Sequence, residues 1–221
     1  MPRPLDDAVG ERMEVPAYYS DFQVNYARTA EFWKLERGQV YAEPGNASWE
    51  AFDSGNWEQS MRLLEESRAD LADYFRDCAV RGTLSRRVRV VALPPSDYLH
   101  WELCVLKLRD EVGDPIRVLL DSGVAGLEYE GPLPDIYTLD TNVMYQAAYD
   151  RRGVLECAIK YTDRLLIERC RDFIASLFAR AEPVGSFFQR EIAPLPPPRP
   201  VRPVIPRNYL EQVGRPRPIR S

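Results

Sequence analysis

Residues 86–120 read RRVRVVALPPSDYLHWELCVLKLRDEVGDPIRVLL, and the hydrophobic period changes twice within this stretch. From Arg86 to Leu93, β-branched valines alternate with Arg87 and Arg89 until Pro94-Pro95 breaks the run, which is the signature of a strand. Ser96 is then placed to cap a helix over Asp97–Glu111 that carries Leu99, Leu103, Val105 and Leu106 on its apolar side and stops at Gly113. Asp114-Pro115 turns the chain into a second strand, Ile116–Leu120. Strand, helix, strand at this length is a βαβ unit, whose crossover is right-handed and whose strands are parallel.

Downstream, Asp135–Asp140 and Val143–Tyr149 read as strands joined by a tight turn at Thr141-Asn142, and Val154–Tyr161 follows after Arg151-Arg152-Gly153. Three successive strands extend the sheet in antiparallel fashion and make it mixed. Thr162 or Asp163 caps a last helix to Arg180, with Leu166, Cys170, Phe173, Ile174 and Leu177 on one face and Pro183 beyond it. Upstream, Trp57, Met61, Leu64, Leu71, Phe75 and Cys78 recur at helical spacing, so Asn56–Val80 reads as one long helix capped by Asn56 and ended by Gly82. Ala30–Val40 fits a strand or a short helix, stopped by Pro44-Gly45. Met1–Val15 lacks a period. The expected organisation is a flexible arm over 1–17, one α/β domain over 18–193 with a mixed sheet flanked by helices, and a Pro/Arg-rich tail over 194–221, disordered or extended.

The chain has 221 residues, 45% hydrophobic and 11% aromatic, enough apolar surface for a core without staples. No apolar run reaches the length of a membrane span and the N-terminus lacks the layout of a secretory signal, so the expected location is the cytoplasm, with no membrane contact. The net charge of −5 conceals an asymmetry. Residues 194–221 hold six arginines against one acid, Glu211, so the tail carries +5 and the rest −10. An acidic body repels phosphate backbones, which argues against nucleic-acid binding by the folded domain. In the tail, prolines interleave with Arg199, Arg202, Arg207, Arg215 and Arg217 around Tyr209, a composition suited to aromatic-lined grooves and acidic surfaces on a protein partner. The same arm can lie across its own body or a second copy's, giving a homodimer.

Catalytic signals are sparse. Four scattered cysteines and one histidine, His100, cannot furnish a zinc site, so no metal is expected. His100 and Cys104 share a helix face, but one helical turn does not supply nucleophile, base and orienting group together. No glycine-rich phosphate loop or nucleophile elbow is present, and no cofactor is expected. Charged residues within strands or at their ends remain. Arg89 and Arg117 each sit inside an apolar strand and need a partner, with Asp135 or Glu102 the expected partner of Arg117. Glu36, Glu102 and Asp121 lie near element ends, and Asp135 and Asp140 bracket a short strand, in positions suited to salt bridges or to orienting a ligand. Glu36, Arg89, Tyr98, Glu102, Arg117 and Asp135 are the candidate ligand-binding set.

Trp33-Lys34-Leu35-Glu36 with Tyr41, Arg87-Val88-Arg89-Val90-Val91, Pro95, Tyr98, Trp101-Glu102, Gly113, Ile116-Arg117 and Asp135 with Asp140 occur in an order that resembles the actinobacterial domain of unknown function 6879. The resemblance spans about Phe22 to Leu177. It implies a sheet similar to the α/β half of phospholipase D proteins without their His-Lys-Asp motif, and it implies proximity to helix-turn-helix regulators as possible partners. It supplies no catalytic residue. The long helix from Asn56, the Arg-Pro tail, and His100 at a position expected to be basic depart from the family pattern. Two functions follow as expectations: a non-catalytic interaction or regulatory module using the tail as contact arm, or an enzyme or small-molecule-binding accessory of specialised metabolism using the Arg/Glu/Tyr cluster.

Overall fold

The structure, a computed structural model, describes Leu5 and residues 8–198. Among the described residues, eight strands form one mixed sheet: β1 Glu11–Glu14, β2 Glu31–Glu36, β3 Leu84–Val91, β4 Ile116–Leu120, β5 Asp135–Leu139, β6 Val143–Tyr149, β7 Leu155–Tyr161 and β8 Glu182–Pro183. Their spatial order is β1-β7-β6-β5-β2-β3-β4-β8. β2, β3 and β4 are parallel, and every other pairing is antiparallel. The helices are α1 Val15–Tyr26, α2 Ala47–Asp53, α3 Trp57–Glu66, α4 Arg68–Val80, α5 Asp97–Glu111, α6 Arg164–Arg180 and the short α7 Val184–Phe187.

The βαβ unit has the expected bounds to within two residues, and Ser96 caps α5 by accepting from the Leu99 N–H. Asp163, not Thr162, caps α6 through the Leu165 and Leu166 N–H groups. Within Ala30–Val40 the ordered element is a strand, Glu31–Glu36, not a helix. Two readings are corrected. The stretch 1–17 is not a loose arm throughout, because Glu11–Glu14 pairs with β7 and Val15 opens α1. The helix expected over 56–80 is two helices, broken where the Ser67 hydroxyl donates to the Leu64 carbonyl at 2.6 Å and competes for a helical acceptor. Gly82 does take a positive φ of 78° after α4.

Alternation along the strands separates two faces. Trp33, Leu35, Val88, Val90, Ile136 and Met144 lie under α6, which presents Leu166, Cys170, Ile174 and Leu177. The opposite face is covered at two ends by different elements. Tyr18 and Phe22 of α1 pack on Phe32, Tyr137, Leu139 and Tyr145, while α5 and α7 pack on Val91, Ile116 and Val118. Lys34, Glu36, Arg87 and Arg89 occupy the gap, since the parallel register sets Lys34 beside Arg87 and Glu36 beside Arg89.

β5 anchors β2 at both ends. The Asp140 carboxylate accepts from the Ala30 and Glu31 N–H groups at 3.0 and 2.7 Å, and Asp135 accepts from Arg37 and Gly38 just past the other end. Both acids therefore act as strand pins. Asp140 holds a φ of 51° in the three-residue turn, so Asp140→Ala loses two acceptors and adds left-handed strain. The expected loss is about 1–3 kcal/mol in urea unfolding, with Asp140→Gly losing less because glycine takes that φ freely.

Candidate functional site

Four of the six predicted site residues meet between β2, β3 and α5. Arg89 is fully buried, and its Nε donates to Glu102 Oε2 at 2.7 Å. Its Nη2 lies 2.7 Å from the same oxygen, outside hydrogen-bond alignment, as an ion pair. Its Nη1 donates to the carbonyls of Val90 and Glu36 at 3.0 and 3.3 Å. Glu36 is gripped by Lys34 at 2.6 Å and Arg87 at 3.1 Å. Tyr98 borders the cluster but directs its hydroxyl to Glu43, 2.7 Å away.

The other two lie apart from this cluster. Arg117 is one residue out of phase with Arg89 across the register, so it emerges on the α6 face. There its Nη1 donates to the Phe178 carbonyl at 3.1 Å, and its guanidinium covers the Phe178 ring at 4.6 Å. Neither expected partner, Asp135 or Glu102, is the one it uses, because the pleat places them on the opposite face. Asp135 sits at the end of β5, with its Oδ1 on the Arg37 and Gly38 N–H groups. Tail residues Arg199, Arg202, Arg207, Tyr209, Arg215 and Arg217 lie outside the described residues.

Sequence reasoning missed the remaining members of the seam. Asp114, fully buried, accepts from Arg109 at 2.6 Å and Ser85 at 2.6 Å, and lies 3.7 Å from Arg87. The signal for Lys34 and Arg87 was present: each stands two residues from a chosen residue in its own strand and so shares its face. Asp114 offered no such signal, since its partners come from α5 and β3.

Burial works against the charge on Glu36, but Arg87, Lys34 and Arg89 outweigh it and hold the carboxyl well below its usual range. Asp114 is held low against burial by Arg109 and Arg87. Burial instead dominates at Glu102, which is pushed up to about 7 against the pull of Arg89, and it also raises Glu43 and Asp135. The two groups affect stability in opposite senses. The depressed acids contribute stability above their unfolded values, which is lost as pH falls below them. The raised acids contribute stability that is complete below their unfolded values and is lost as pH rises through the folded ones. Thermal melts should therefore peak near about pH 4–5, in the free carboxylate range, where the depressed acids have stopped gaining stability and the raised acids begin to lose it. A melting temperature that climbs steadily from pH 5 to 8 would contradict this balance.

His100 and Cys104 form no dyad. Cys104 donates to the His100 carbonyl at 3.4 Å, its thiol is pushed up to about 12 by burial, and the imidazole packs edge-on to Trp57. Among the described residues, no three of His, Cys, Asp and Glu come together so as to hold a metal ion, and no helix is long and apolar enough to cross a membrane.

Beside the seam, at the carboxyl end of β2, lies an open cleft of about 430 Å³ lined by Gly38, Tyr41, Asp135, Tyr149, Asp150 and Arg151 among others. Tyr41 packs against Tyr149 at 4.7 Å between ring centroids, and Arg89 covers its ring at 5.4 Å. The Tyr41 hydroxyl is buried without a hydrogen-bond partner; it lies close enough to Asp135 to lower that pKa somewhat, but not in hydrogen-bond alignment. Two glycines make this packing possible. A Cβ on Gly38 would stand 2.6 Å from the Tyr41 ring, and one on Gly153, whose φ is 79°, would stand 2.8 Å from the Val40 carbonyl. Gln39 ties the same loop to the end of β3 through Val90 and Ala92.

No curated protein matches the chain. The family described as domain of unknown function DUF6879 matches residues 21–189, from within α1 to the segment after α7. That span contains the seam, the cleft and seven of the eight strands, so the chain belongs to the DUF6879 family.

Proposed function

We propose that this chain is a non-catalytic interaction module, with a regulatory role in an actinobacterial cytoplasm, that binds a protein partner through its basic Pro/Arg tail. The single observation that supports this reading is the internal pairing of the seam. Glu36 is matched by Lys34 and Arg87, Glu102 by Arg89, and Asp114 by Arg109, so the acids and cations that could have formed a reaction centre are used to neutralise one another. General acid–base chemistry needs a titratable group within hydrogen-bond reach of a substrate proton. Glu102 and Arg89 are nearly or wholly enclosed. The phospholipase D-like sheet implied by the family brings no reaction either: the lone histidine, His100, is packed against Trp57. The acidic body disfavours nucleic acid, and a helix-turn-helix regulator is the kind of partner this reading favours.

The test is native mass spectrometry of the protein isolated from its host, full length and truncated after Ala193. A stoichiometric protein companion on the full chain that is lost on truncation supports the module. A small molecule retained by both forms overturns it in favour of a ligand-binding accessory protein.

A further inference from the structure

We infer that the Tyr41–Tyr149 cleft is a docking site for an arginine–proline segment, and that in the isolated protein it takes the chain's own tail, residues 199–221. The cleft combines the two elements that polyproline-type recognition needs: flat aromatic surface and a carboxylate for a guanidinium. Tyr149, 36% exposed, supplies the surface with the buried Tyr41 ring backing it at the cleft floor, and Val40, half exposed, extends it. Asp135 supplies the carboxylate: both of its backbone donors fall on Oδ1, which leaves Oδ2 without one. Tyr41 is clamped by Gly38, Tyr98 and Arg89, so the aromatic surface is formed before anything binds, which reduces the ordering cost of binding.

The occupant follows from chemistry and reach. Within 199–221, Arg199-Pro200 and Arg202-Pro203 are followed by Arg215-Pro216 and Arg217-Pro218, each joining a guanidinium to the rigid ring that stacks on tyrosine. Rim charges are close to balanced, since Asp150 is held by Arg152 and Arg151 offsets Asp135, so attraction at long range comes from the body's −10 acting on the tail's +5. At about 3.1 Å per residue, the segment spans roughly 70 Å when extended, more than the width of a domain of this size.

Trypsin reads the docking in the full chain. Arg–Pro bonds resist it, whereas Arg207-Asn208 is cleavable, and release of residues 208–221 is resolved by mass. A tethered segment sees its site at about millimolar effective concentration, so even a weak site slows cleavage about tenfold. Wild type should be cut about tenfold more slowly than Tyr149→Ala, which removes a partly exposed ring, and more slowly than Asp135→Asn, which retains an oxygen for the loop N–H groups. The native melting temperature of each variant establishes that it is folded. Equal rates in wild type and both variants overturn the inference, as does protection that disappears on dilution, which would mean that the arm comes from a second copy. Either result leaves the host-companion experiment unaffected, so failure of self-docking is distinguishable from failure of the partner reading.

Discussion

Arg89→Ala should cost about 3–5 kcal/mol, or abolish folding, because it leaves a buried carboxylate without its counterion. Arg89 has no exposed surface, and Glu102 is only 5% exposed. With the guanidinium gone, Glu102 faces Glu36 and Glu43, both of which already raise its pKa, and the Glu36 and Val90 carbonyls lose a donor. The loss should be smaller in acid, since a carboxyl raised further in the variant binds its proton in the folded state and so regains stability as pH falls. Adding Glu102→Gln should restore part of it at neutral pH. Urea unfolding of the two single variants and the double variant measures the coupling, and a loss below about 1 kcal/mol for Arg89→Ala would show that the pair is solvated and the seam is not closed.

Trp101→Ala should cost about as much, roughly 3–5 kcal/mol, for a different reason. α5 is enclosed on several sides: Leu99, Leu103 and Leu106 face β4 and α7, Glu102 and Arg109 face the seam, and Tyr98 and Trp101 face α2. Trp101 is wholly buried, stacks on Phe52 at 5.7 Å with 19° between planes, and donates from Nε1 to Ser48 Oγ at 3.1 Å. Ser48 in turn bonds Ser60, so one side chain fastens α2 and α3 to α5. The alanine variant opens a ring-sized cavity and removes the donor to Ser48. Trp101→Phe, which fills most of the space, should lose much less, about 1–2 kcal/mol. Urea midpoints for the pair separate packing from hydrogen bonding, and near-equal losses would mean that the hydrogen bond, not the ring, holds α2 in place.

How much of this was legible depended on whether the relevant pattern was local. β3, α5 and β4 announce themselves because alternation, a serine cap and two proline breaks agree within one stretch. α6 was legible for the same reason. β1 was not: ERME is short, charged and mostly exposed, as an edge strand often is. α1 has no side-chain cap and carries Pro16 as its second residue, although Tyr18, Phe22 and Tyr26 keep helical spacing. The pairing of Arg89 with Glu102 was within reach of the strand pattern, since a guanidinium inside an apolar strand demands a partner. Arg117 obeyed the same rule, but its partner was a backbone carbonyl on α6, and only the strand register decides which face it meets. The pinning of β2 by Asp135 and Asp140 could not be read, because it joins residues about a hundred positions apart.

The central claim is that the seam is structural and that function resides outside it. The most direct measurement is the full-length Arg89→Met/Glu102→Met variant, folded and isolated from the host for native mass spectrometry. Replacing a buried ion pair with apolar residues of similar volume is commonly near neutral or stabilising, so the variant should fold and carry the same companion as the wild type. A folded variant that has lost its companion would place function in the seam and contradict the account.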